Sequence, residues 1–240
     1  MQYKLSCAME SGASRLNLGQ LCPGRVVSRR GEGVAALVLA DGAERRSDAA
    51  EAVTRALSDL LCSRFDQLFQ AEEDRVRRLV RQQCLDALAP LGYSGNTMAC
   101  SLLFFAADAQ GRCITGHLGG GVILMISPAL DNLWTLSRPE REPSLRLLRG
   151  PLHASGAMLL MNDGAVDCLS QLETGAPAKI CLTMGQWLRD GKEEDIHKAL
   201  RYHLQKPSRP TEDDLCLGLV VWGQNLPHPH KETKEPFQNP

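Results

Sequence analysis

The chain has 240 residues, 23% of them charged, and a formal net charge of −1, so it is long enough to bury one substantial core or two small ones. The near-neutral balance excludes a domain that binds nucleic acid or anionic lipid through its overall field. There is no run of about eighteen apolar residues, so we expect no transmembrane helix. Residues 1–9 lack the long apolar stretch of a secretory signal, and we expect none.

The N-terminal region is predicted to contain an edge strand, a loop and a buried strand. Residues 3–9 form the edge strand. Residues 10–32 are rich in glycine, serine and arginine and are predicted to be a loop, with one short strand near 25–28. Residues 33–40 are a continuous apolar run that ends at the Asp-Gly dipeptide 41–42. Such a run is typical of a strand buried on both faces.

Two helices are predicted next, from apolar residues at helical spacing. The first apolar stripe spans residues 53–61, with Ser47 as the N-cap. The second spans residues 76–88, with acidic residues 72–74 near the positive end of the helix dipole and Pro90 after its end.

The hydrophobic period then changes to that of strands. Apolar runs at 96–107, 111–118 and 121–127 are separated by turn sequences, of which the second is the glycine triplet 119–121. This pattern predicts an antiparallel meander, which residues 132–136 extend. A surface excursion is predicted over residues 137–156, followed by a strand at 157–161. Two helices at 180–188 and 193–204 and a last strand at 215–222 complete the prediction.

The C-terminal tail, residues 223–240, has little apolar content and is predicted to be disordered. His228 and His230 within it are interpreted as solvated side chains rather than metal ligands. We therefore expect a single domain over residues 1–222.

Nine cysteines are spread along the chain without a C-x-x-C pair. Zinc sites and redox motifs need such close spacing, and most of these cysteines lie in apolar runs such as 98–107 and 215–222. We expect reduced thiols that pack as small hydrophobic side chains. This expectation places the protein in the cytoplasm.

Three aspartates share one local setting, because each adjoins a predicted buried strand. Asp41 and Asp163 follow a strand and precede a glycine, and Asp213 lies just before the last strand. Strands of one sheet bring their ends together, and clustered carboxylates repel one another unless cations lie between them. Oxygen ligands of this kind suit Mg²⁺ or Mn²⁺. A simpler interpretation remains open, since Asp-Gly is also a common turn dipeptide and the three could be turns of an unrelated α+β domain.

The motifs around these aspartates resemble those of type 2C metal-dependent serine/threonine protein phosphatases, in particular the divergent bacterial subgroup. Residues 38–42 (VLADG) resemble the ADG segment, and 158–167 (MLLMNDGAVD) resemble the LLxSDGxxD segment. Residues 213–221 (DDLCLGLVV) are similar to the terminal DDxTxxVV strand, and 96–118 match the central hairpin in pattern. The resemblance covers roughly residues 10–222.

The resemblance implies a fold and a reaction. The fold is a four-layer α-β-β-α sandwich, an α+β architecture of two antiparallel sheets flanked by helices, with a metal site in the cleft at one end. The implied metal ligands are Asp41, Gly42 through its carbonyl, Asp163 and Asp213, with Asp41 and Asp163 as catalytic residues. The implied cofactor is a pair of Mn²⁺ or Mg²⁺ ions. The implied reaction is hydrolysis of phosphoserine or phosphothreonine in a protein partner.

The sequence departs from the family pattern at four positions. Gly24 and Gly120 stand where the family has supporting aspartates, and Asn162 and Cys216 replace a serine and a threonine. Loss of one supporting ligand typically lowers metal affinity or activity by about 10–100-fold. We therefore expect an enzyme of reduced activity. The alternative is a catalytically inactive pseudophosphatase that binds a phosphoprotein or acts as a regulatory module.

Two more residues have opposing interpretations. The family uses an arginine near its first motif to hold the substrate phosphate, and Arg15 is the nearest candidate, with Arg25, Arg29 and Arg30 as alternatives. A solvated loop arginine is the simpler interpretation. His117 is interpreted as a hydrogen-bonded histidine at a strand end rather than as an acid catalyst.

Overall fold

Two five-stranded sheets form the centre of the molecule in a computed structural model, which describes residues 1–16, 22–42, 47–93, 100–139, 144–171, 174–205 and 211–226. The strands are β1 (Gln2–Glu10), β2 (Arg25–Arg30), β3 (Val34–Gly42), β4 (Cys100–Asp108), β5 (Arg112–Leu118), β6 (Val122–Ile126), β7 (Leu133–Ser137), β8 (Arg146–Pro151), β9 (Gly156–Met161) and β10 (Leu215–Gly223). The helices are α1 (Ala13–Leu16), α2 (Ser47–Ser63), α3 (Phe65–Gln70), α4 (Glu73–Leu88), α5 (Asp163–Leu169), α6 (Ile180–Asp190) and α7 (Glu193–Gln205).

All the strand pairs in both sheets are antiparallel. The first sheet has the order β1-β10-β9-β6-β7 and the second the order β2-β3-β4-β5-β8. Helices α5 to α7 cover the outer face of the first sheet, and α2 to α4 cover that of the second. The predicted four-layer α-β-β-α sandwich is therefore confirmed.

Strand β3 shows why its apolar run contains no polar position. Ala36, Val38 and Ala40 belong to the core beneath α2 and α4, whereas Leu37 and Leu39 belong to the core between the two sheets. Both faces are therefore buried, as the sequence predicted. On the facing strand β10, a Cβ at Gly218 would lie 2.9 Å from Cδ2 of Leu37, so glycine permits close packing of the sheets at this point.

The predicted three-stranded meander is wrong in its third strand. Strands β4 and β5 pair in the second sheet, but β6 pairs with β7 and β9 in the first. The glycine triplet carries the chain from one sheet to the other, with positive φ at Gly119 (78°) and Gly121 (92°). Local period cannot distinguish such a crossing from a hairpin turn, because the strands on either side look the same.

Several short elements were missed by the sequence analysis. Helices α1, α3 and α5 have four, six and seven residues, which is too short to show an amphipathic stripe. Strand β8 lies inside the predicted surface excursion and pairs with β5 along the sheet edge.

The C-terminal strand extends to Gly223, and Leu226 beyond it is buried. Residues 227–240, which include His228 and His230, lie outside the described residues, so their disorder stays a prediction. Within the described ranges, no helix combines the length and apolar character needed to cross a membrane. All nine cysteines lie in those ranges, and none of them forms a disulfide.

Candidate functional site

Three strand ends bring the predicted aspartates to one end of the sandwich. Asp41 is near the last residue of β3, Asp163 is the first residue of α5 directly after β9, and Asp213 precedes β10. Strand β10 pairs with β9 so that Leu217 lies opposite Met161. This register places the start of β10 beside the end of β9, and hence Asp213 near Asp163.

Asp41 lies at the electrostatic centre of this site. Burial is the largest cause that raises its pKa, a hydrogen bond from Asn162 partly offsets it, and the charges of Asp214, Asp163 and Asp213 raise the pKa further. Four carboxylates therefore interact at one end of the molecule. The repulsion at Asp41 destabilises its ionised form and would be relieved by a cation.

Asn162 makes a set of hydrogen bonds that the sequence analysis did not foresee. Its side-chain Nδ2 donates to Oδ2 of Asp41 (2.8 Å) and to the carbonyl of Asp214 (2.7 Å). Its Oδ1 accepts from the backbone N–H groups of Cys216 (2.8 Å) and Ala165 (3.2 Å). The last of these bonds makes Asn162 the N-cap of α5.

The carboxylate of Asp163 is held by the glycine triplet. The backbone N–H of Gly121 donates to its Oδ1 (2.8 Å). The preceding residue, Gly120, donates its own N–H to Oγ of Ser101 (2.8 Å), and Ser101 lies opposite Asp41 in the β3–β4 pair. The crossing between the sheets is therefore tied to both Asp163 and the strand beside Asp41.

Gly24 and Gly120, which stand where the family pattern has aspartates, both face the candidate ligands. A Cβ at Gly24 would lie 3.4 Å from Oδ1 of Asp41 and would overlap Sγ of Cys216. A Cβ at Gly120 would overlap Oδ2 of Asp163. Space that a side chain would need at residue 120 is thus occupied by the Asp163 carboxylate.

Asp214 has the more buried position of the Asp-Asp pair, whereas the predicted ligand Asp213 is exposed. Arg15, the predicted phosphate-binding residue, pairs with Asp214 through Nε (2.6 Å). The backbone N–H of Gly12 also donates to Asp214 (3.0 Å). Burial raises the pKa of Asp214, and the Gly12 and Arg15 contacts oppose that rise. Asp214 thus anchors the segment that carries Arg15.

His117 is buried and hydrogen-bonded at both ring nitrogens. Its Nδ1 lies 2.7 Å from the hydroxyl of Ser137, and its Nε2 lies 3.1 Å from the carbonyl of Gly119. Because a carbonyl can only accept, Nε2 carries the proton and the Ser137 hydroxyl donates to Nδ1 in the neutral ring. Burial lowers the pKa of His117. These contacts agree with a structural role at the end of β5.

The donor set matches the chemistry of a hard divalent cation. Carboxylates of Asp41, Asp163 and Asp213 and the carbonyl of Gly42 are all oxygen donors, which Mg²⁺ and Mn²⁺ prefer. Across the described ranges, however, no three or more His, Cys, Asp or Glu side chains are grouped so that they could hold an ion. Asn162 and the Gly121 N–H each bind one carboxylate oxygen instead. The donors fit an ion chemically.

Asn162 and Asp214 are the residues of this site that the sequence analysis undervalued. Asparagine between a strand and an acidic first turn is a signal for a helix N-cap, and Asn162 carries that signal beside its departure from the serine motif. Asp214 carries no such signal, because two adjacent aspartates do not reveal in the sequence which of them is buried.

No protein-family model matches the sequence, and no curated protein matches it significantly. Solved structures share its fold. The phosphatase domain of SpoIIE from Bacillus subtilis is 14% identical with a TM-score of 0.58, over 95% of this chain and 98% of that one. PppA, a key regulatory component of the T6SS in Pseudomonas aeruginosa, is 12% identical with a TM-score of 0.62, over 92% and 99%. RsbX, solved in complex with magnesium, is 13% identical with a TM-score of 0.56, over 91% and 94%.

These likenesses cover nearly the whole of both chains in each pair. At such low identity they concern the fold, and the chain has the fold of bacterial type 2C phosphatase domains. The resemblance predicted from the three aspartate motifs is confirmed at this level.

Proposed function

We propose that the chain is a divergent metal-dependent protein serine/threonine phosphatase of reduced activity. The observation that carries the proposal is the placement of Asp41, Asp163 and Asp213 at three adjoining strand ends of a type 2C fold. Burial, and then the charges of the neighbouring aspartates, raise the pKa of Asp41 there. The proposed substrate is a phosphorylated serine or threonine of a protein, and the proposed domain spans residues 1–222, in the cytoplasm.

The charge at the site makes a cation necessary for phosphate binding. Four aspartates lie close together at the site: Asp41, Asp163, Asp213 and Asp214. Arg15 lies beside them and pairs with Asp214. A phosphate dianion would be repelled by this arrangement without further positive charge. Bound Mn²⁺ or Mg²⁺ would supply that charge and polarise the phosphoryl group. The magnesium complex of RsbX supports the choice of ion class.

The protein's own groups have separate tasks in this proposal. Asp41 and the carbonyl of Gly42 would hold the ions, together with Asp163 and Asp213. Arg15 would bind the substrate phosphate through its terminal guanidinium nitrogens, since its Nε contacts Asp214. Asp214 would orient Arg15 toward the site.

Reduced activity follows from the glycines. Gly24 and Gly120 face Asp41 and Asp163 but supply no carboxylate. The loss of each supporting group lowers affinity or rate by about 10–100-fold. A two-metal hydrolase begins with a large rate enhancement, so measurable turnover can survive this loss.

A pseudophosphatase is the second candidate, and one observation favours it. In the described part of the chain no three potential ligands are grouped to hold an ion, and Asn162 and Gly121 each bind one oxygen of the Asp41 and Asp163 carboxylates. In that case the fold would serve phosphoprotein binding or regulation without turnover.

Hydrolysis of p-nitrophenyl phosphate and of phosphoserine and phosphothreonine peptides, with and without millimolar Mn²⁺, tests the proposal. We expect Mn²⁺-dependent turnover that Asp163→Asn abolishes. Asp86→Asn, on the exposed face of α4, is the matched control and should leave turnover unchanged. Metal binding without turnover would favour the pseudophosphatase. No turnover and no Mn²⁺ binding by calorimetry would refute the enzyme.

A further inference from the structure

Asn162 connects the three segments that carry the candidate ligands. It bonds to Asp41 at the end of β3, to the first turn of α5 through Ala165, and to the start of β10 through Asp214 and Cys216. Its own backbone N–H also donates to the carbonyl of Cys216 (3.2 Å). The side chain is 2% exposed. We propose that Asn162 is the positioning residue of this site, whose amide fixes the Asp41 carboxylate and joins β3, α5 and β10 in the absence of carboxylates at residues 24 and 120.

The hydrogen bonds determine which way the amide of Asn162 points. A primary amide offers two N–H donors and two acceptor lone pairs, and here two donors meet Asp41 and Asp214 while two acceptor positions meet backbone N–H groups. A flipped amide would place its oxygen against a carboxylate and a carbonyl, and its NH₂ against two donors. The orientation is therefore determined by four mutually consistent contacts rather than by one.

A serine at residue 162, as in the family motif, could not reproduce this arrangement. A hydroxyl has one donor, so it could not donate to both Asp41 and Asp214. It could still accept the N–H of Ala165 as a helix cap. The asparagine therefore adds a second donor contact, so that Asp41 and the carbonyl of Asp214 are bound together, beyond the capping that serine and asparagine share.

The contact engages one oxygen of the Asp41 carboxylate and leaves the other toward Gly24. Oδ2 accepts from Asn162, whereas Oδ1 points toward Gly24, whose Cβ position is 3.4 Å away. The family pattern has a carboxylate at residue 24, which could help to orient its neighbour through a shared ion. Here glycine cannot do so, and the Asn162 amide orients Asp41 through Oδ2. This last step rests on the proposed metal-dependent function, whereas the positioning of Asp41 does not.

Mn²⁺ binding tests the consequence for the ion. Calorimetry and the electron paramagnetic resonance spectrum of bound Mn²⁺ are measured for the wild type, Asn162→Ser and Val80→Ala. Val80 is a buried residue of α4, and its truncation lowers stability through the core alone. We expect Asn162→Ser to bind Mn²⁺ about tenfold or more weakly with an altered spectrum, and Val80→Ala to match the wild type. Wild-type affinity and spectrum in Asn162→Ser would overturn the inference.

A metal-free cycle tests the positioning itself. Urea unfolding midpoints are measured without metal for Asn162→Ser, Asp41→Ala and the double variant. We expect the loss in midpoint caused by Asn162→Ser to shrink when Asp41 is already alanine, because the shared bond is then absent. Additive shifts would overturn the inference. A wild type that binds no Mn²⁺ would refute the proposed function, and this cycle would still decide the role of Asn162.

Discussion

Nε of Arg15 lies 2.6 Å from the carboxylate of Asp214, and the backbone N–H of Gly12 donates to the same carboxylate. Both side chains of the ion pair are largely buried, with 15% and 7% of their surface exposed. The pair joins the N-terminal segment around α1 to the start of β10. It therefore has a structural task, which coexists with the proposed binding of phosphate by Arg15.

Removing the arginine alone should destabilise the fold. Arg15→Ala leaves the buried carboxylate of Asp214 without its cation, and breaking a buried pair from one side typically costs about 3–5 kcal/mol. We expect a loss near the lower end of that range, because Gly12 still donates to Asp214. The measurement is urea unfolding at neutral pH. The double variant Arg15→Ala with Asp214→Asn should recover much of the loss, and equal losses in both variants would contradict a charge effect.

Asp41→Asn should make the metal-free protein more stable at neutral pH. Burial and three neighbouring carboxylates raise the pKa of Asp41, so its ionised form opposes folding, while the amide retains an oxygen that can accept from Asn162. Mn²⁺ at a hundredfold excess over its dissociation constant should stabilise the wild type by about 2.7 kcal/mol and the variant far less.

Thermal unfolding with EDTA and with Mn²⁺ checks both parts of this prediction. Asp86→Asn on α4 controls for the removal of one negative charge elsewhere. A metal-free Asp41→Asn protein that melts below the wild type would contradict the repulsion argument.

His117 should contribute a loss of stability at acid pH. Burial lowers its pKa below the ordinary value of 6.5, so the folded protein binds this proton more weakly than the unfolded chain. The stabilisation that neutral His117 gives the folded protein is therefore complete above pH 6.5. It is lost as the pH falls toward the lower pKa of His117 in the folded protein, at no more than about 1.4 kcal/mol per pH unit. Urea midpoints at pH 7.5 and 5.5 should fall further for the wild type than for His117→Asn. Equal decreases in the urea midpoint of both proteins would show that His117 does not cause the loss of stability at acid pH.

The predictability of the fold differed from one strand to the next for physical reasons. Strand β3 could be predicted because burial on both faces leaves an uninterrupted apolar run. The sheet to which β6 belongs could not be predicted. The crossing at Gly119 to Gly121 depends on which sheet offers a partner strand, and that is a long-range property. Strand β8 was missed because it lies at a sheet edge among polar residues and shows no clean alternation.

The candidate site was predictable in its aspartates and not in their partners. Asp41 and Asp163 adjoin strands that the hydrophobic pattern reveals, so their convergence could be expected. The amide contacts of Asn162 and the burial of Asp214 join segments far apart in sequence. Such contacts have no local signature, since they depend on the register of β9 and β10.

Substitutions at Gly120 test directly whether this glycine replaces a supporting aspartate of the family pattern. A Cβ at this residue would overlap Oδ2 of Asp163, so any substitution must displace that carboxylate. Gly120→Asp adds a negative charge beside Asp163 as well, and we expect it to lower metal-free stability by more than Gly120→Asn, which has the same shape without the charge. With Mn²⁺ present, Gly120→Asp should become the more stable of the two variants. Its new carboxylate, as a ligand or as a support for one, should strengthen Mn²⁺ binding about tenfold or more.

Thermal unfolding with and without Mn²⁺, together with phosphatase assays, distinguishes these effects. Combining Gly120→Asp with Gly24→Asp should raise turnover above the wild type if both glycines replace supporting carboxylates. The Gly24 substitution must also displace Sγ of Cys216, so the combined variant needs its fold verified by unfolding. Equal Mn²⁺ affinity in Gly120→Asp and Gly120→Asn would mean that the position contributes space rather than a ligand, and the reduced activity would then need another cause.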